Sequence, residues 1–338
     1  MDKTGKTKKV TFVGFWDTFD VKRNAIYRIL EKHYDVELCD MEDADYSICS
    51  LYNSDFIETK GVRIFYTAEA VVPDFTLFDY CIGFDELEFG DRYIRIPNFL
   101  MNLKYEEDIA IMLQRHNFNE RRAREKFCAW VCSNGNGDKA RDVIFDELSK
   151  YKRIDSAGCY RNNIGQEGRV PDKRKFQKEY KFALATENTS YRGYTTEKLI
   201  EAFSAGGIPI YWGDPDVEHY FNPKAFINLS NYSSIQEGIE AVKRIDQNDE
   251  LYFEMLSEKA LNDDGFIEKK LSELENFLVS IFNQPIETAI RRPIGQTALK
   301  VENIVRAGLN NRENEEKIRL PRSLANLLVT KIKDYIIK

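Results

Sequence analysis

Two basic residues lie in the first turn of predicted helices, where the helix dipole disfavours a positive charge. Lys198 follows a predicted strand and a polar loop, and Arg141 repeats this placement earlier in the chain. A cation at a helix start costs roughly 0.3–1 kcal/mol. A bound anion would remove the cost, because a helix N-terminus beside a basic side chain is a ready-made phosphate site. The sequence therefore predicts phosphate binding, with solvated side chains on ordinary helices as the alternative.

A carboxylate elsewhere in the chain could take up a proton. Glu69 follows a predicted strand and precedes Pro73, so it lies in a loop at a strand end. A general base in such a place accepts the proton of an attacking hydroxyl and typically contributes about 10²–10⁴-fold to the rate. The alternative is a solvated loop carboxylate without a catalytic role.

An aromatic pair followed by a carboxylate ends the first predicted strand, at Phe15, Trp16 and Asp17. Ligands of open α/β sheets bind at the carboxyl ends of the strands. Aromatic faces stack on the C–H surfaces of sugars and carboxylates bond their hydroxyls, so Trp16 and Asp17 suit an acceptor sugar. The alternative is a pair of ordinary core aromatics.

A strand, a loop, a helix and a second strand must position Lys198. Lys181 to Thr186 alternates apolar and polar residues as a half-buried strand does, and residues 187–193 are polar and contain glycine. Thr195 or Thr196 can cap a helix that runs to about Ser204. Strands and helices alternate along the rest of the chain, which indicates an α/β fold with parallel sheets. Further helices are predicted over residues 21–32, 101–126, 139–151, 233–248, 250–261 and 266–282.

The composition excludes several classes of protein. The net charge of −7 over 338 residues argues against general binding to nucleic acid, and the length predicts two domains. The charged N-terminus does not resemble a secretory signal, and no run of 18 apolar residues predicts a membrane span. The six cysteines and three histidines are scattered without metal-site spacing, which favours a reduced, cytoplasmic protein.

Two stretches of the chain resemble the bacterial α-1,3-fucosyltransferases of the Helicobacter type. The first contains Glu187-Asn188-Thr189, the run Tyr194 to Lys198, and Gly207 to Ile210. The second matches at Pro73 and from Phe78 to Asp85, and departs from bacterial members at Ala68 and Ala70. The resemblance extends over roughly residues 9–261 and implies a GT-B glycosyltransferase, in which two Rossmann-like domains face a cleft.

The resemblance also implies a reaction and a role for each site residue. The chain would transfer L-fucose from GDP-β-L-fucose, with inversion, to a hydroxyl of a lactosamine-type oligosaccharide or glycolipid, most simply in α-1,3 linkage and giving Lewis x-type glycans. Glu69 would be the general base, and Glu197 would bond the donor hydroxyls or the fucose ring as charge develops. The expected donor-binding residues are Arg141, Asn188, Tyr194, Glu197 and Lys198. No metal or other cofactor is expected to be required, although stimulation by Mn²⁺ would be compatible.

The predicted domain order is an acceptor-binding domain over residues 1–120, a GDP-fucose-binding domain over 121–264, and a closing helix over 265–285 that packs back on the first domain. Residues 286–338 form a basic tail, and the segment 291–338 carries eleven Lys or Arg against five Asp or Glu. Its amphipathic end could lie on an anionic membrane surface or pack on protein.

Two other functions are compatible with the sequence. One is a GT-B transferase that uses another nucleotide sugar, and the other is a non-catalytic glycan-binding protein on the same fold. Linkage, acceptor chain type and oligomeric state are not specified by these residues.

Overall fold

A computed structural model of the chain describes residues 7–117, 124–165 and 170–318. Within these ranges the chain forms two parallel sheets with helices on their faces. The predicted α/β fold class is therefore confirmed.

The first sheet has six parallel strands in the order β2-β1-β3-β4-β5-β6. Its central strands are buried on both faces, as is typical of parallel sheets covered by helices. The strands are β1 Thr7–Val13, β2 Asp35–Leu38, β3 Tyr46–Cys49, β4 Val62–Tyr66, β5 Tyr80–Gly83 and β6 Tyr93–Arg95.

The second sheet has five parallel strands in the order β11-β10-β9-β7-β8. Every residue of β9 is buried, so the half-buried strand predicted over residues 181–186 is wrong in its exposure, because β9 lies at the centre of a covered sheet. The strands are β7 Lys126–Val131, β8 Ile154–Ala157, β9 Tyr180–Thr186, β10 Ile208–Trp212 and β11 Ile227–Asn228.

Ten helices surround the two sheets in the part of the chain that the structure describes. They are α1 Ala25–His33, α2 Glu106–Leu113, α3 Ala140–Tyr151, α4 Lys173–Gln177, α5 Glu197–Ser204, α6 Ile235–Asp246, α7 Asp249–Ser257, α8 Phe266–Phe282, α9 Ile286–Ala289 and α10 Gln296–Ile318. The long helix predicted over 101–126 is wrong in its extent, because α2 ends at Leu113 and short 3₁₀ turns flank it.

The strand order reverses at the same place in both sheets. In the first sheet β1 lies between β2 and β3, and in the second sheet β7 lies between β8 and β9. The loops leaving the two central neighbours then turn to opposite faces and open a crevice at their carboxyl ends, which is where ligands bind in such sheets. The fold therefore provides one crevice between β1 and β3 and another between β7 and β9.

The chain returns to the first sheet after completing the second. The Phe282 ring of α8 stacks on Tyr46 of β3 at 4.0 Å between centroids, and Glu275 of α8 contacts His33 of α1 at 2.6 Å. Further on, the buried carboxylate of Asp79 accepts hydrogen bonds from the backbone amides of Arg291 and Arg292, at 2.6 and 2.7 Å.

Helix α10 also packs on the first domain. Val301, Val305 and Leu309 pack against the cluster around Phe56 and Phe78. Glu302 accepts a hydrogen bond from the buried Arg63 guanidinium at 2.7 Å. Residues 319–338, which hold the predicted amphipathic end of the tail, lie outside the described residues. No helix in the described ranges combines the length and apolar character that crossing a membrane requires.

Candidate active site

The loop between β9 and α5 is organised around a buried carboxylate. Glu187 is fully buried and accepts hydrogen bonds from Thr196 N at 2.8 Å, Thr196 Oγ1 at 2.6 Å and Lys198 Nζ at 3.0 Å. Thr196 occupies the N-cap position of α5 but its side chain does not cap the helix. Glu187 takes over that function from the other end of the loop, placing a negative charge where the helix dipole favours one.

Glu187 also explains the position of Lys198. Burial alone would lower the pKa of Lys198, but the nearby carboxylates of Glu187 and Glu197 raise it above its ordinary value, so the lysine stays charged. The conflict with the helix dipole is therefore resolved by an anion of the protein itself. Its contacts with Glu187 and Thr196 use two of the three ammonium donors, which leaves one for a ligand.

Arg141 approaches from the start of α3 and is almost completely buried. Its guanidinium donates to Asn188 Oδ1 at 3.2 Å and to Asn134 O at 2.9 Å, and it contacts Cys132 Sγ. A Cβ on Gly137 would lie 1.7 Å from Arg141 Nη1, so a larger residue there would displace the guanidinium from this position. Arg141 Nε is buried and has no hydrogen-bond partner in the described ranges, so it is available to an acceptor that enters the site.

Four of the predicted donor-binding residues line a single cavity of about 230 Å³: Arg141, Asn188, Glu197 and Lys198. The cavity lies at the carboxyl ends of β7 and β9 and at the start of α5. It is therefore in the crevice of the second sheet, and two cations and a helix N-terminus meet there. This arrangement can bind an anion of the size and charge of a diphosphate.

Sequence reasoning missed a third cation in this cavity. Lys173 of α4 lines the cavity and its Nζ contacts Glu201 at 2.5 Å. Burial raises the pKa of Glu197, but Lys198 and Lys173 outweigh burial and hold the pKa below its ordinary value, so the carboxylate is ionised. Nothing around Lys173 in the sequence marks it, because α4 reaches the site only through the folding of the second domain.

Tyr194, the fifth predicted donor-binding residue, does not line this cavity. It is buried, its ring lies 5.2 Å from Phe84, and its hydroxyl donates to Ala68 O at 3.3 Å. Tyr194 therefore connects the donor loop to the first domain. Burial raises the pKa of Tyr194, with Lys198 lowering it and Glu69 raising it, so charges from both sides of the cleft act on this phenol.

Glu69, the predicted base, is exposed on the loop after β4. Its Oε1 accepts a hydrogen bond from Tyr52 Oη at 2.6 Å. The neighbouring Ala68 carbonyl is the one that Tyr194 contacts. The structure therefore places Glu69 at the edge of the first domain that faces the donor loop.

The two predicted acceptor-binding residues differ in their surroundings. Trp16 is half-buried and lines a cavity of about 440 Å³ together with Phe19, Tyr66 and Tyr105. Asp17 is exposed and is not among the residues that line this cavity. The cavity lies at the carboxyl end of β1, and its aromatic walls could stack on a sugar.

One group of side chains in the described ranges could hold a metal ion, and it lies outside the donor cavity. The ligand atoms of Glu86, Asp216 and His219 lie within 4.8 Å of one another. Arg192 already forms an ion pair with Asp216 at 2.5 Å.

Comparison with known proteins places these features in a family. Residues 10–102 match the model of the α-(1,3)-fucosyltransferase FucT N-terminal domain, and residues 121–263 match that of the glycosyltransferase family 10 (fucosyltransferase) C-terminal domain. Crystal structures of an α1,3-fucosyltransferase are similar. One has a TM-score of 0.73 at 27% identity and covers 87% of this chain and 95% of that one. A second, with GDP-fucose, has a TM-score of 0.69 at 28% identity and covers 82% and 92%. These matches confirm the GT-B architecture.

Curated relatives are similar over shorter stretches. An α-(1,3)-fucosyltransferase of Helicobacter pylori is 35% identical over 229 residues, which is 59% of this chain and 47% of that protein. A GDP-fucose protein O-fucosyltransferase 3 of Xenopus tropicalis is 31% identical over 199 residues, covering 55% and 41%. A 4-galactosyl-N-acetylglucosaminide 3-α-L-fucosyltransferase 9 of Homo sapiens is 33% identical over 133 residues, covering 38% and 36%. The chain thus spans less than half the length of these relatives.

Proposed function

The chain belongs to the α-(1,3)-fucosyltransferase family, glycosyltransferase family 10, and on that premise we propose that it transfers L-fucose from GDP-β-L-fucose to an acceptor hydroxyl. The observation that carries the proposal is the donor cavity, where Arg141 and Lys198 meet the start of α5. Fixed cations at a helix N-terminus match the diphosphate of a nucleotide sugar. A solved relative of similar fold was crystallised with GDP-fucose.

The acceptor in this proposal is a lactosamine-type oligosaccharide or glycolipid. Fucose would join the GlcNAc or glucose hydroxyl in α-1,3 linkage, as in Lewis x-type glycans and the lipopolysaccharides that carry them. Support comes from the aromatic cavity beside Trp16 and from relatives whose names specify α-1,3 transfer. Asp17 does not line this cavity, so in this proposal it contacts a part of the acceptor that extends beyond the cavity.

The mechanism is a single displacement with inversion. Glu69 accepts the proton of the acceptor hydroxyl while its oxygen forms a bond to the anomeric carbon and the bond from that carbon to GDP breaks. The electron pair leaves with GDP, and Arg141 and Lys198 stabilise the charge that develops there, an effect worth roughly 3 kcal/mol for one well-placed donor. Glu197, held ionised beside Lys198, faces the positive charge that builds on the sugar ring.

The proposal requires no metal, because two side-chain cations supply the positive charge at the leaving group. Stimulation by Mn²⁺ remains compatible with it. We place the enzyme in the cytoplasm, and the proposal includes peripheral membrane contact through the amphipathic end of the basic tail, since the earlier part of residues 286–338 packs on the first domain. The positive charge of this tail supports that contact.

A transfer assay tests the proposal. The full chain is incubated with GDP-fucose and either type 2 or type 1 lactosamine, and the product linkage is read by NMR. We expect α-1,3-fucosylated type 2 lactosamine. Parallel reactions with GDP-mannose and UDP-sugars identify a transferase for another donor, and a hydroxyl-bearing peptide acceptor tests protein fucosylation, the activity in the name of the Xenopus relative. Absence of both transfer and donor hydrolysis would indicate a non-catalytic binding protein.

A further inference from the structure

Tyr52 occupies the crevice of the first sheet, the counterpart of the donor crevice in the second. It follows β3, and Trp16 follows β1, so the two side chains leave the strands at which the order reverses. Their rings lie 5.6 Å apart at 60°. Tyr52 N donates to Gly14 O at 2.8 Å, and Gly14 has a φ of 73°, with Ser50 O only 2.4 Å from where a Cβ would be. The backbone thus fixes Tyr52 where ligands bind in such sheets.

The Tyr52 hydroxyl reaches across to the loop after β4. It donates to Glu69 Oε1 at 2.6 Å, a length typical of a strong hydrogen bond to an ionised carboxylate. Burial and this bond both raise the pKa of Tyr52, so the phenol remains a proton donor across the neutral range.

The Glu69 side chain has little else to hold it. It is exposed, and its neighbours Ala68 and Ala70 bring no polar side chain. The loop backbone is fixed, since Ala68 O accepts from both Tyr194 and Asn98. Among the described residues, Tyr52 is the one side chain that donates a hydrogen bond to the carboxylate. A free glutamate samples several rotamers, whereas a base must hold one geometry within about 0.5 Å to be efficient.

We infer that Tyr52 is a positioning residue for Glu69: its phenol holds one carboxylate oxygen and leaves the second for the acceptor hydroxyl. The inference rests on the proposed function, in which Glu69 is the base. The Tyr52 ring, packed against Trp16, sets the direction from which the phenol reaches the carboxylate.

The test is Tyr52→Phe, which removes the hydroxyl and keeps the ring against Trp16. We expect kcat to fall about tenfold, in line with a hydrogen bond to a charged group. The acceptor KM should change less than twofold. Tyr232→Phe removes the same atom on the second domain, where the hydroxyl makes no hydrogen bond to the residues that the structure describes, and should leave both values unchanged.

The Glu69→Ala variant distinguishes a failure of the base assignment from a failure of the inference about Tyr52. If Glu69→Ala keeps near-normal turnover, the assignment of the base fails, whatever Tyr52 does. If Glu69→Ala is inactive but Tyr52→Phe has the kcat of the unmodified chain, the inference about Tyr52 is overturned. A rise in acceptor KM with unchanged kcat also overturns it, because Tyr52 would then be an acceptor contact only. Thermal unfolding of both variants verifies that they are folded.

Discussion

The two crevices lie at the same point in the strand order of their sheets, but their charged groups differ in burial and in the number of their partners. In the second sheet, Glu187 is fully buried and Arg141 nearly so, and each already has several partners within the protein. In the first sheet, Glu69 is exposed and Tyr52 is 43% exposed, and one hydrogen bond connects them. A buried charge must be paired before any ligand arrives, whereas an exposed one is stabilised by water.

Because of this difference, substitutions in the donor crevice should change both ligand binding and stability. Substitutions in the acceptor crevice should change activity but not stability. On the donor side, the groups that would bind diphosphate also balance each other, so changing one affects both binding and folding. On the acceptor side, the groups that would act on the hydroxyl contribute little to folding. Measuring turnover, GDP affinity and thermal unfolding for each variant tests this contrast.

The largest effect is expected at Glu69. Glu69→Ala should lower turnover at least a hundredfold, because the acceptor proton loses its base. GDP affinity, measured by calorimetry, and the unfolding midpoint should stay unchanged, since the side chain is exposed. Glu88→Ala, which removes another exposed carboxylate of the first domain, is the matched control. A large loss of stability in Glu69→Ala would contradict the contrast, and near-normal turnover would exclude Glu69 as the base.

A smaller, double effect is expected at Lys198. Lys198→Ala should weaken GDP binding roughly tenfold to a hundredfold and also lower the free energy of unfolding by about 1–3 kcal/mol, because Glu187 keeps its buried charge without its cation. Calorimetry and thermal or urea unfolding measure the two losses. The exposed Lys224 gives the control variant, Lys224→Ala, which should change neither. Unaltered GDP affinity would refute the phosphate assignment, and unaltered stability would refute the coupling.

The smallest effect is expected at the aromatic cavity. Trp16→Ala should raise the acceptor KM about twofold to tenfold, the loss expected for one aromatic contact, and leave GDP affinity unchanged. Asp17→Ala should have less effect, because Asp17 does not line the cavity. Initial-rate kinetics with varied acceptor measure both. Equal effects at the two positions, or a greater one at Asp17, would show that the acceptor lies elsewhere.

Local sequence patterns predicted most of the helices and strands. They failed where contacts between segments that are distant in sequence determine the structure. Helix α8 has the predicted bounds of 266–282, because its apolar residues recur with helical period over its whole length. The helix predicted over 101–126 rested on charge and composition alone. Asn102 instead caps a 3₁₀ turn there, and α2 is only eight residues long.

The same limit applies to the site. Arg141, Asn188, Glu197 and Lys198 were predicted from loop chemistry and family resemblance, and the structure brings all four to one cavity. The pairing of Glu187 with Lys198, the presence of Lys173 and the bond from Tyr52 to Glu69 depend on which strands are neighbours. Sequence spacing does not contain that information when the partners lie on different loops.

The return of the chain to the first sheet affects how the protein is made. Phe282 covers Tyr46, and Asp79 bonds the amides of Arg291 and Arg292, so the first domain is assembled from two stretches separated by the whole second domain. A ribosome releases the N-terminal stretch before the second domain and the closing stretch after it. Until the closing stretch is made, the six-stranded sheet therefore has an uncovered apolar face, and Asp79 has its hydrogen bond from Arg63 N but lacks those from the two later amides. The second domain is continuous in sequence and can fold before the first domain is complete.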